Sequence, residues 1–195
     1  MTRPQDSCEA APSPTINAMP DNRLPFEVPG LEEDFGRIEV RRSARRKKTI
    51  SAEIVSDALV VSIPARLSQA DEQHWVTEMA GRLSSRVRRD RLNEDGALLR
   101  RATQLGDRYL GGVRPRDISW AGAQRSCWGS CSPQDGSIVI SMAIADYPPW
   151  VRDYVILHEL AHLLVPDHSQ RFWTLVGAYP MTERARGYLI AKGEG

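Results

Sequence analysis

Only 3 cysteines occur among the 195 residues, and so sparse and odd a set makes no disulfide framework and fits a reducing compartment. Long apolar runs are missing as well. None approaches the roughly 18 residues needed to cross a bilayer, which excludes a membrane-spanning helix. The opening stretch, MTRPQDSCEAAPSPTINAMPDNRLP, lacks the basic start and continuous apolar core of a secretory signal, so a cytoplasmic location is expected. Aromatic residues make up 7% of the chain, too few to interleave densely with cations as a base-stacking surface would. Net charge is nearly absent at +1, but the balance is local: −5 over residues 1–35, +8 over 36–116 and −2 over 117–195. What is present, 41% hydrophobic and 26% charged, is the composition of a globular protein long enough for one domain with a sizeable core.

Residues 1–35 are rich in proline and small polar types and have no helical or strand period. They predict a flexible tail, because too little area can be buried to offset the entropy of ordering. A single domain over 36–195 is expected to follow. Alternation at Ile38 and Val40, at Ile50, Ala52 and Ile54, and at Leu59, Val61 and Ile63, with a turn at Ser56-Asp57, predicts a small antiparallel meander. Ser68 and Asp71 have the spacing of a capping box, and Trp75, Met79, Leu83 and Val87 then recur at helical spacing along an arginine-rich amphipathic helix. A second helix over 97–110 ends at Gly111-Gly112, a strand near Ile118 follows, and residues 126–142 read as a hairpin turning at Asp135-Gly136. Beyond Pro148-Pro149, WVRDYVILHELAHLLV is apolar on nearly every side with no breaker before Pro166, which predicts a buried helix. Helices over 169–178 and 181–192 would close the domain.

That buried helix holds two of the four histidines. In His158-Glu159-Leu160-Ala161-His162 the imidazoles are four residues apart, so on a helix they share a face and can meet one ion at about 2.0–2.1 Å. Glu159, one position on from the first, lies near such an ion without being forced to bind it, where a general base belongs. His168 is the candidate third ligand, since Pro166 breaks the helix and lets the chain turn back. Burying these groups in so apolar a helix would cost on the order of several kcal/mol unless something paired them, and a divalent cation does so. A structural zinc closed by Cys131 or Cys127 is the competing reading, but a closed site has no use for Glu159. The two cysteines could otherwise serve redox chemistry or, the preferred reading, strand packing. His74, remote in sequence from this cluster, receives no role.

The segments QRSCWGSCSPQDGSIVIS and YPPWVRDYVILHELAHLLVPDHSQRFW, preceded by RRSARRKKTISAEI, ALVVSIPA and an arginine-rich helix in that order, resemble the YgjP-like metallopeptidases, relatives of the SprT-type zinc proteases. The resemblance covers most of the chain outside the N-terminal tail. It implies a zincin-like α+β fold, small antiparallel sheets or hairpins packed on helices that include the HExxH helix. It implies His158, His162 and His168 as zinc ligands and Glu159 as catalytic base. The chain departs from the family at Cys127, where arginine is common, and near Met142-Ala143, where an asparagine-arginine pair is common.

The activity so implied is hydrolysis of peptide bonds in a protein or peptide substrate by a zinc-activated water, with Glu159 moving the proton. Edge pairing at residues 137–142 is the expected mode of peptide binding. Tyr154, Tyr147, Tyr179 and Arg171 are candidate donors to the oxyanion, with a core role favoured for Tyr154. RRSARRKK, residues 41–48, and the arginines within 82–91 form a candidate nucleic-acid surface, as in an SprT-like protease on DNA or a DNA-binding module with a structural metal. The plainer reading is a solvated edge whose charges prevent sheet-to-sheet aggregation.

Overall fold

The computed structural model describes residues 35–56, 58–122 and 127–192, so residues 1–34 of the expected tail and Asp57 of the expected turn lie outside the described residues. Two small sheets and five helices make a mixed α+β chain. The chain divides into two compact units, one running to Thr77 and the other starting at Glu78. The boundary falls inside the longest helix, α1 (Gln69–Glu94). Among the described residues no helix is long and apolar enough to cross a membrane.

The first unit is built on a sheet of β1 (Arg37–Ser43), β2 (Ser51–Val55) and β3 (Ala58–Pro64). The expected meander is corrected here: the strand order is β1-β3-β2, with β1 parallel to β3 and β2 antiparallel to it. The reason lies in β3. Ala58, Leu59, Val60, Val61 and Ile63 run without alternation and are each at most 3% exposed, and a strand apolar on both faces belongs in the middle of a sheet. β1 alternates and β2 is largely exposed, so they take the edges. At the start of α1, Ser68 Oγ accepts from the Asp71 backbone N–H at 3.2 Å and donates to the Asp71 carboxylate at 2.6 Å. Arg42 of β1 then forks onto the buried Glu72 carboxylate at 3.1 and 2.5 Å, which supplies the partner that a buried charge requires.

The second unit repeats the same strand arrangement. Its sheet of β4 (Asp117–Ala121), β5 (Gly129–Ser132) and β6 (Ser137–Ser141) has the order β4-β6-β5, with β4 parallel and β5 antiparallel to β6. The predicted hairpin is β5–β6, turning at Gly136, whose φ of 67° needs a residue without a β-carbon penalty. Asn93 of α1 brackets Trp120 of β4, donating to its carbonyl at 3.1 Å and accepting from its N–H at 2.7 Å. It thereby satisfies one residue of an edge strand as a neighbouring strand would.

Four further helices complete the unit: α2 (Ala97–Tyr109), α3 (Pro149–His162), α4 (Gln170–Gly177) and α5 (Thr182–Ala191). α3 is the predicted buried helix, begun by Pro149, whose missing N–H is no loss at a helix start. Val151, Tyr154, Val155, Ile156, Leu157, Leu160 and Ala161 are all at most 6% exposed, and the helix packs against α2, α4, α5, β5 and β6. Its one buried aspartate, Asp153, takes a two-pronged bond from Arg101 of α2 at 2.7 and 2.5 Å.

α2 stops where Gly106 allows the chain to fold back. The Leu110 and Gly112 N–H groups both donate to the Gly106 carbonyl at 3.0 Å, and a β-carbon at 106 would lie 1.9 Å from the Val113 carbonyl oxygen. Since that obstacle is backbone, Gly106→Ala is expected to destabilise the protein by about 3 kcal/mol, the scale of core overpacking. Urea denaturation measures it, and a loss under about 0.5 kcal/mol, as at ordinary surface sites, would show that the turn relaxes freely.

Candidate metal centre

α3 presents His158 and His162 on one face, one turn apart, and the chain beyond Pro166 turns back so that His168 joins them before α4 begins. One ligand atom from each of the three imidazoles lies within 4.8 Å of the other two. The Nε2 atoms of His158 and His168 are 3.1 Å apart. His162 Nδ1 faces the Val165 carbonyl at 3.3 Å, a contact that holds its proton there and leaves Nε2 to the cluster. Phe172 of α4, fully buried, forms the floor: its ring centroid is 4.5 Å from that of His162, 4.8 Å from His158 and 4.7 Å from His168. His158 Nδ1 is buried with no hydrogen-bond partner among the described residues, and the ring packs against Phe172.

This setting disfavours charge on the two imidazoles of α3. Burial pushes His158 down to about 3, with His162, His168 and Arg186 adding to the effect, and burial also lowers His162. Unprotonated imidazoles have the lone pairs a metal ligand needs. Three imidazole donors, two of them with nitrogens 3.1 Å apart, fit a borderline cation such as zinc better than a hard one that prefers oxygen.

Glu159 lies against β5. It is 6% exposed, and burial alone pushes its carboxyl up to about 7. β5 passes directly against it: a β-carbon at Gly129 would lie 2.8 Å from Oε1 and 2.9 Å from Cγ. Gly129 is a site residue the sequence reading missed, although an isolated glycine in a strand is the available signal of a close approach. Phe172, Trp173 and Arg186 were missed too, since only the fold brings α4 and α5 to α3.

The other candidates fall elsewhere. Neither Cys127 nor Cys131 is in a disulfide among the described residues. Burial and the nearby Glu159 push Cys131 up to about 11, the opposite of what a thiolate ligand requires. The expected edge pairing at 137–142 is corrected: residues 137–141 are β6, the central strand, whose backbone groups bond to β4 on one side and β5 on the other. Tyr154 is buried with its ring 6.0 Å from His158, whereas the Tyr179 hydroxyl donates to the Trp150 carbonyl at 3.2 Å. Tyr147 is packed between Trp128 and Tyr188, Arg171 is exposed, and His74 lies exposed against Trp75. Of the basic residues in 82–91, Arg82 pairs with Glu78, Arg86 and Arg89 with Asp90, and Arg88 with Asp146. Those carboxylates cancel much of the positive charge that a phosphate would meet. In RRSARRKK, Arg42 is held by Glu72 and Arg46 bonds Ser51 Oγ at 3.0 Å, while Arg41, Arg45, Lys47 and Lys48 are exposed.

Residues 97–191, which contain all four of these histidine and glutamate positions, match the family described as YgjP-like, metallopeptidase domain. Over that segment the chain is similar to that metallopeptidase domain, the family to which the resemblance pointed. Among solved structures, the metallopeptidase zymogen abylysin of Pyrococcus abyssi is similar at 26% identity, covering 51% of this chain and 95% of that one with a TM-score of 0.41. No curated protein matches the chain.

The raised carboxyl of Glu159 has a consequence for stability in metal-free protein. The fold favours its neutral form, so its contribution is best below the ordinary value of 4.5 and worsens as pH climbs from there through about 7. Glu159→Gln keeps the shape without the charge. At pH 8 the metal-free variant is expected to be more stable than wild type by about 3 kcal/mol, a gap that closes as pH falls towards 4. Urea titrations at both pH values test this, and an equal gap at both would refute it.

Proposed function

We propose that the chain is a zinc-dependent peptidase in which His158, His162 and His168 hold the ion and Glu159 is the general base. The observation that carries this reading is the convergence of three imidazoles on the helix that also carries a buried carboxylate whose pKa is pushed to about 7. When bound, zinc supplies Lewis-acid chemistry, polarising a carbonyl and making a water more acidic. The protein's own groups supply the rest. A carboxylate balanced near neutrality accepts a proton from the attacking water and returns it to the departing amine at little cost in either direction. Phe172 keeps the imidazoles in place and excludes water from beneath them. Gly129, having no side chain, lets β5 approach the base, and a peptide added as a further strand along β5, the outer strand of its sheet, would be carried past Glu159.

Glu159→Gln is expected to retain stoichiometric zinc and fold normally while peptide hydrolysis falls by about 10²–10⁴, the usual share of a general base. His168→Ala is expected to lose most of its zinc. Metal analysis and a quenched-peptide assay on both variants test the assignment. Wild-type turnover in Glu159→Gln removes the base, and full zinc in His168→Ala removes the third ligand.

A further inference from the structure

Arg186 of α5 is a cation with no obvious reason to stand where it does. Its guanidinium lies over the Trp173 indole, 5.0 Å from the ring centroid, and that indole is 5.5 Å from His168 and 6.0 Å from His158. A cation, an indole and the ligand imidazoles thus form one continuous stack leading into the candidate metal centre.

The partner of Arg186 on the chain is weak. Glu183, one turn earlier on the same helix, takes Nη1 at 3.0 Å, but Glu183 is 81% exposed and Arg186 itself 42%. Such surface pairs contribute little, and this one leaves most of the fork of N–H donors unused. A positive charge beside a site built for a divalent cation is unfavourable until an anion arrives. The Trp173 face limits the side chain's freedom in advance, so less entropy is lost when the fork closes on a ligand.

We propose that Arg186 anchors a carboxylate of the peptide substrate next to the scissile bond, making it a specificity-determining residue. The planar guanidinium matches a carboxylate with two parallel hydrogen bonds, and it reads a free C-terminus or an acidic side chain alike. This inference rests on the peptidase reading for its substrate class, but it concerns binding and can be tested apart from turnover.

Four peptides of one sequence serve as probes: free or amidated at a C-terminus one residue beyond the scissile bond, and with Glu or Gln at that residue. Their dissociation constants are measured by calorimetry on full-length, zinc-loaded Glu159→Gln protein, with and without R186Q or R186K. In the presence of Arg186 the charged member of at least one pair should bind about tenfold tighter than its neutral counterpart, and the pair that differs identifies the source of the carboxylate. R186Q should erase that preference, and R186K, which keeps the charge and loses the fork, should retain only part of it. The proposal is overturned if neither pair differs when Arg186 is present, if the preference survives R186Q, or if R186K keeps it whole. Wild-type turnover of the same peptides reports separately on the peptidase reading, so either can fail while the other stands.

Discussion

α3 sets Asp153, His158, Glu159 and His162 in an apolar helix, and the rest of the second unit is arranged around that constraint. Asp153, five residues before His158, is neutralised by Arg101 in a direct fork. His158, His162 and Glu159 receive no such counter-ion. Burial therefore drives all three towards their uncharged forms, histidine downwards and glutamate upwards. The outcome is a set of free lone pairs next to a carboxyl that changes charge near neutrality. A hydrolytic metal site needs both, and the same low-dielectric surroundings provide them.

Precision comes from packing at two points. Phe172 touches all three imidazoles and is itself inaccessible to solvent, so the ligand face is held by aromatic contact where hydrogen bonds are sparse. On the opposite side Gly129 brings β5 to within contact distance of Glu159. The helix is thus gripped between α4 and a strand edge. Rigid elements of this kind hold reacting groups better than loops do, and of the three imidazoles only that of His168 is carried by a loop.

Charge is handled differently in the outer parts of the chain. Four of the five arginines of α1 within the second unit, Arg82, Arg86, Arg88 and Arg89, are paired with Glu78, Asp90 and Asp146, so a stretch that looks strongly basic in sequence is partly neutralised in place. Arg186 also has an exposed carboxylate partner, Glu183, but its guanidinium lies over an indole that adjoins His168 and His158. Its position relative to the imidazoles, more than the number of charges, sets it apart from the cations of α1.

Local patterns were readable from the amino-acid order because they depend on neighbours close in sequence. The i, i+4 spacing of His158 and His162, the unbroken apolar character of 150–165, the stop at Pro166 and the Asp135-Gly136 turn each follow from helix or hairpin geometry over a few residues. Strand order did not follow. β3 takes the centre of its sheet because both of its faces are buried, and that is decided by packing with segments beyond its neighbours in sequence. Gly129, Phe172 and Arg186 join the site only through contacts between β5, α4, α5 and α3, with no periodic signal to announce them. The sequence by itself determined which side chains could do the chemistry. The tertiary structure decided which of them are buried without a partner, because desolvation is a property of everything packed around a group and not of the residues beside it.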